Sequence, residues 1–311
     1  EVFGGVAVGN EFDMDLRSLI FVPDESERRY TVYQKAIGAL PPMGTSHWIS
    51  FDAEDENRSR AVSLEDGPIR FFGSTYHTMH VSQNGAVTFG AAAQYAEPWI
   101  ERHYQQRGVS VLLYDFLTGT TSENITWARR ARSYAVKFDN MEEEPNGPSC
   151  TFMVEFFDGG VIVLSHATPG IRKGLVGLSA GGGVPADFTQ TDLSALPVLP
   201  ERMLHVHTPS AEQTFPVGTA VPVRWMALGD AWVSGDRVAV EYTNGQGNPW
   251  VAMGGSVPYD DGVLQWDTAG LPAASDYRIR VNFADDPGVT DSVGGSVALT
   301  GPFHHFEGDV P

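Results

Sequence analysis

At 311 residues, with 42% hydrophobic and 11% aromatic residues, the chain can bury a sizeable core, and ordinary domain sizes predict about two domains. Its 39 acidic and 20 basic residues give a formal charge of -19, a field that repels phosphate backbones and anionic lipid surfaces, so no nucleic-acid partner is expected. No stretch approaches the roughly 20 continuous apolar residues that cross a bilayer as a helix, so no membrane insertion is expected either.

The chain opens at Glu1 with no charged start and apolar run, which reads as the mature product of an exported protein with an extracellular or cell-surface location. Cys150 is the only cysteine, so no intrachain disulfide can form and stability must come from packing or bound ions. The glycine-broken apolar segment from Val2 to Val8 is expected to add as a strand, either to its own domain or to the sheet edge of another copy of the chain. Next comes an acidic loop with Asp52, Glu54, Asp55 and Glu56. Residues 81–89 predict a hairpin turning at Asn84-Gly85, a pair that supplies the positive φ angles of a tight turn. A helix of a few turns is expected only over residues 95–106. Residues 152–164 repeat the hairpin logic around Asp158-Gly159, and Asp187 with Asp192 form a second acidic loop.

Pro197 and Pro200 interrupt any ladder, which places a domain boundary near Pro200, between residues 1–200 and 201–311. Beyond it, residues 204–208, 220–225, 237–242, 263–266, 277–283 and 296–300 read as strands at the spacing of an immunoglobulin-like sandwich. Trp225, Trp250 and Trp266 are expected in its core or rim. The fold class predicted is therefore all-β, with two antiparallel β-sandwich domains, the second immunoglobulin-like.

The order 15–24, 30–32, 37–41, Arg70-Phe-Phe-Gly-Ser-Thr-Tyr76 and Val81-Ser-Gln-Asn-Gly-Ala-Val-Thr-Phe-Gly90 resembles a jelly-roll-like module of secreted and surface proteins from environmental bacteria. Its closing signature is matched by Gly174-Leu-Val-Gly-Leu-Ser-Ala-Gly-Gly-Gly-Val-Pro-Ala-Asp-Phe-Thr-Gln-Thr-Asp-Leu-Ser194, and the resemblance covers roughly residues 11–195. Thr208-Pro-Ser, Val217-Gly-Thr-Ala-Val-Pro-Val-Arg-Trp225 and Asp276-Tyr-Arg-Ile-Arg-Val281 are similar to an immunoglobulin-like module of cell-wall and surface proteins. The resemblance implies secretion, sandwich architecture and no catalytic set. The first module often carries an aspartate pair where this chain has Tyr114-Asp115-Phe116, so no metal role is carried over there.

Gly177-Leu-Ser-Ala-Gly181 satisfies the nucleophile-elbow pattern, but Gly182-Gly-Val-Pro185 cannot start the helix that pattern needs, so Ser179 is read as part of a glycine-rich loop. His205 and His207 share a strand face and would need a third metal ligand such as His304 or His305, whereas His77 and His80 fall on opposite faces. Calcium is the expected ion, because it takes carboxylate and carbonyl oxygens from loops; the ligands would be Asp52, Asp55, Asp187 and Asp192. Neither acidic loop has EF-hand spacing, and a solvated loop is the alternative at each.

With no phosphate loop, cofactor fingerprint or glycosidase-like acid pair, the expected function is non-catalytic. Two readings remain. One is a structural or adhesive protein whose copies assemble into a filament, matrix or surface layer. The other is a carbohydrate-binding accessory module of a secreted hydrolase, with Trp48, Trp99, Trp127 or Trp232 stacking on the sugar rings of a surface glycan.

Overall fold

The computed structural model describes residues 2–3, 13–51, 59–93, 99–116, 124–142, 147–168, 170, 174–245 and 247–301. The chain divides into two compact units, Glu1–Leu199 and Pro200–Pro311. Nearly all of their regular structure is strand, and the all-β sandwich class expected from the turn and strand patterns is what the chain adopts.

In unit 1 the strands are β1 (Val2–Phe3), β2 (Arg17–Pro23), β3 (Tyr30–Ala36), β4 (His47–Trp48), β5 (Ser59–Ser63), β6 (Ile69–Phe71), β7 (Ser74–Tyr76), β8 (Thr78–Ser82) and β9 (Ala86–Phe89). After helix α1 (Ile100–Gln105) come β10 (Arg107–Leu113), β11 (Ile125–Arg130), β12 (Ser133–Glu142), β13 (Ser149–Phe157), β14 (Ile162–Thr168) and β15 (Gly174–Ala180). One sheet runs β1-β15-β10-β9-β8-β5 and the other β3-β2-β14-β13-β12-β11-β4, with β6 and β7 as a separate hairpin. Alternation explains which faces meet: Tyr134, Val136 and Phe138 of β12 and Phe152, Val154 and Phe156 of β13 join one core with Val109 and Val111 of β10. Fully burying each such side chain contributes about 1.5–3 kcal/mol, so this face dominates the stability of the unit.

The predicted Asn84-Gly85 turn forms between β8 and β9, but it is buried rather than solvated. The Gly85 carbonyl accepts from Val111 N (2.9 Å) and Leu112 N (3.3 Å), and the Asn84 carbonyl accepts from Tyr114 N (3.1 Å). Helix α1 is shorter than the stretch the sequence predicts; residues 95–98 lie outside the described residues. Val2 and Phe3 pair antiparallel with Leu175 and Gly174 of the same chain, and residues 4–8 also lie outside the described residues.

Unit 1 closes on a short 3-10 turn, Leu193–Ala195, after which the chain is tied to β3. The Gln34 side-chain amide donates to the carbonyls of Ser194 (2.6 Å) and Leu196 (2.7 Å). Its main chain donates to Pro197 O (2.8 Å) and accepts from Leu199 N (2.9 Å).

Unit 2 holds β16 (Met203–Thr208), β17 (Thr214–Pro216), β18 (Ala220–Leu228), β19 (Arg237–Asn244), β20 (Val251–Ala252), β21 (Val257–Pro258), β22 (Val263–Asp267), β23 (Ala274–Phe283), β24 (Thr290–Ser292) and β25 (Val297–Thr300). The sheets run β16-β18-β22 and β17-β25-β23-β19-β20, with β21 against β19 and β24 against β23. Among the described residues of this unit every ladder is antiparallel except β17 with β25, where a short strand lies parallel at the sheet edge. Trp225 and Trp266 are buried in the core with Tyr277, and Trp225 Nε1 donates to Tyr259 O at 2.9 Å, which satisfies the indole where water is excluded. Trp250 sits half-buried under the Arg280 guanidinium, 4.2 Å from its ring centre.

Candidate ligand groove

The sandwich of unit 1 is open along one side, where edge strand β4 of one sheet faces edge strand β5 of the other across a groove of about 570 Å³. That volume lies within the usual range for small-ligand sites, about 300–1,000 Å³. Strand β4 is two residues long, and its pairing with β11 sets the aromatic wall: His47 lies opposite Trp127 and Trp48 opposite Thr126. Because Trp127 shares the inner face with Ile125 and Arg129, its indole turns toward Tyr134 on β12. The rings form a row, His47 to Trp127 at 4.9 Å and Trp127 to Tyr134 at 6.4 Å, the latter stacked. The Arg129 guanidinium closes the row 4.6 Å from the Tyr134 ring centre and pairs with Asp158 at 3.2 Å. Trp48, opposite Thr126, alternates to the other face of β4 and is 62% exposed at the groove.

The opposite wall is Arg60, Ala61, Val62 and Ser63 of β5, continuing into Glu65 and Asp66. Arg60 is held by its Nε bond to Ser50 O (3.0 Å) and lies over Phe51, 6.0 Å from the ring centre. The Asp66 main chain fixes the end of the row: its N–H donates to the Tyr134 hydroxyl (3.2 Å), and its carbonyl accepts from Arg129 Nη2 (3.3 Å). Burial raises the Tyr134 pKa, so its hydroxyl stays protonated at neutral pH. The Glu65 and Asp66 carboxylates are exposed, and neither forms an ion pair among the described residues. The groove thus offers flat apolar faces on one wall and hydrogen-bond acceptors on the other.

Of the four tryptophans the sequence offers for sugar stacking, Trp48 and Trp127 both line the groove, although the register sets His47, not Trp48, against Trp127. Trp99 is 52% exposed ahead of α1, under the Arg102 guanidinium at 5.6 Å, outside the groove. Trp232 packs on Tyr259 (5.0 Å) and Phe283 (5.2 Å), and its Nε1 donates to Leu228 O. Nothing in the sequence alone singles out Tyr134, Glu65 or Asp66. The only signal for Tyr134 was its place two residues from Val136 on a strand whose partner carries Trp127.

The remaining candidates sit elsewhere. Asp52 and Asp55 lie outside the described residues. Asp187 is exposed, and Asp192 caps the 3-10 turn, accepting from Ser194 N (2.9 Å) and Ser194 Oγ (2.7 Å). Asp192→Ala is expected to lower the stability of unit 1 by about 1 kcal/mol, read as a shift in the urea midpoint. Among the described residues no group of three or more His, Cys, Asp and Glu is arranged to hold a metal. His205 and His207 do share a face, their ring centres 6.2 Å apart; His304 and His305 lie outside the described residues. Beside them, burial raises the pKa of Asp291, whose Oδ2 accepts from Val206 N (2.6 Å) and stands 3.9 Å from His205 Nδ1.

Ser179 is buried on β15, where its Oγ accepts from Gly181 N (3.1 Å), and a strand continues through the position instead of a nucleophile elbow. A second serine, Ser110, meets His103 Nδ1 at 2.8 Å beneath α1. Burial pushes His103 down to about 3, too weak a base to activate a serine hydroxyl, and the 30 Å³ space beside the pair has room for about one water. The pair anchors α1 to the sheet.

No protein-family model and no curated protein matches this chain.

Proposed function

We propose that this protein is a non-catalytic extracellular adhesive that holds a surface glycan in the groove between β4 and β5 of unit 1. The observation that carries the reading is the row His47–Trp127–Tyr134, with Trp48 exposed beside it in a groove of about 570 Å³. Flat rings match the apolar faces of pyranoses, and the carboxylates of Glu65 and Asp66 can accept from sugar hydroxyls. Secretion and a surface location rest on the resemblance of residues 11–195 and of unit 2 to modules of exported proteins. Assembly through a donated N-terminal strand has less support, because Val2 and Phe3 pair within their own chain.

The test is calorimetry and glycan-array binding of the intact protein with neutral oligosaccharides. Trp127→Ala and Trp48→Ala are each expected to weaken binding about tenfold, the equivalent of about 1.4 kcal/mol, while the circular dichroism spectrum stays that of the parent. A panel in which no oligosaccharide binds, or in which both variants bind as the parent does, overturns the reading.

A further inference from the structure

We propose that the groove selects glycans bearing free amino groups and rejects anionic ones, an inference that rests on the glycan reading above. The charges facing the groove carry the argument. On the β5 wall, Glu65 and Asp66 are exposed and without an ion pair among the described residues. The cation on that wall, Arg60, is turned onto the Ser50 carbonyl and the Phe51 ring. Arg129, at the end of the aromatic row, is spent on Asp158, the Asp66 carbonyl and the Tyr134 face. His47 packs tilted on Trp127, 4.9 Å between ring centres. A ligand lying on the Trp127 indole therefore meets two carboxylates that, among the described residues, no cation pairs with.

The formal charge of -19 adds a long-range field of the same sign, which speeds the approach of cationic ligands and slows that of anionic ones. An aminosugar satisfies both walls at once, its ring face on Trp127 or Trp48 and its ammonium toward Glu65 or Asp66. The ammonium contacts also add an attraction to the indole faces that a neutral acetamide lacks. A uronate or sulfated sugar would place its charge against the carboxylates.

The experiment compares three oligosaccharides of equal length on the intact protein at about pH 6 and low salt: a glucosamine oligomer, its N-acetylated counterpart and a uronate oligomer. The expected order of affinity is glucosamine first, about fivefold over the N-acetylated form, with the uronate weakest, since an exposed ion pair contributes up to about 1 kcal/mol. The ratio should fall toward one in about 0.5 M salt, and also in Glu65→Gln/Asp66→Asn, which keeps the main-chain bonds of Asp66. Equal affinities for the first two ligands in the parent, a uronate preference, or a ratio unchanged in the double variant overturns the selectivity and leaves the glycan reading standing. Failure of all three ligands overturns the selectivity, and with the neutral panel also silent it overturns both. Single variants Glu65→Gln and Asp66→Asn, checked by thermal melting, separate lost selectivity from a damaged fold.

Discussion

Gly85→Ala is expected to unfold unit 1 or to lower its stability by about 4 kcal/mol or more, because the turn that sequence patterns place in a hairpin is packed beneath the end of β10. A Cβ at Gly85 would lie 2.1 Å from the Leu112 carbonyl oxygen and 3.2 Å from the Phe152 ring, and its φ of +79° is itself unfavourable for a residue with a side chain. The obstructing atom is main chain of β10 in the register shift between Ser110 and Leu113, and Leu112 N itself donates to the Gly85 carbonyl, so relief of the clash would break a bond that holds the turn. Gly90 is the control: its φ is +84°, but a Cβ there meets nothing within 4 Å. Gly90→Ala should cost only about 1–2 kcal/mol, the conformational part alone. Urea unfolding of the two variants, followed by near-ultraviolet circular dichroism, measures the difference; equal losses would show that the turn has room to move.

Acid is expected to destabilise unit 1 by roughly 5 kcal/mol between neutral pH and about pH 4.5, through two buried histidines. Burial pushes His103 down to about 3 and His166 down to about 4, from an ordinary value of 6.5. Ser110 Oγ lies at His103 Nδ1, and His166 Nε2 donates to Val111 O at 2.8 Å. The sign follows from proton uptake. Above pH 6.5 both rings are neutral folded and unfolded, and their full contribution is present. Between 6.5 and the folded values the unfolded chain binds protons that the folded chain refuses, so stability falls as pH falls; below about 3 the loss levels off. In unit 2 the shift has the opposite sense. Burial raises Asp291, so acidification through its folded value relieves a penalty there. Calorimetric scans from pH 7 to 4.5 should show the unit 1 transition moving to lower temperature, and His103→Asn with His166→Gln should flatten that dependence. A transition that stays put in the parent would overturn the assignment.

Fold class was legible because its signals are local. Turn pairs such as Asn84-Gly85 and Asp158-Gly159 and alternating strands such as 152–156 and 277–283 are read one element at a time, and each became a strand end or a ladder. The parallel pairing of β17 with β25 was not legible, because it joins residues more than eighty positions apart and nothing in Thr214–Pro216 names its partner. The groove was half legible. Trp48 and Trp127 stand out by residue type, but the register of β4 on β11 that sets His47 against Trp127 does not, and Tyr134, Glu65 and Asp66 enter only once two sheet edges face each other. Buried polar residues mislead in the other direction: Ser110 and His103 look unremarkable in sequence, and Ser179, which matched a catalytic pattern, lies within a strand.

Gln34 gives the first unit a mechanical property. Its four hydrogen bonds, two from the side chain and two from the main chain, grip the stretch that ends at Leu199, and Arg17 of the neighbouring strand holds the same amide from the other side. Tension applied at the end of unit 1 therefore enters the sheet at β3, where several bonds share the load, rather than peeling the chain away one bond at a time. In the adhesive reading proposed above, a pull on the end of unit 1 would meet this clamp before it reached the strands that shape the groove.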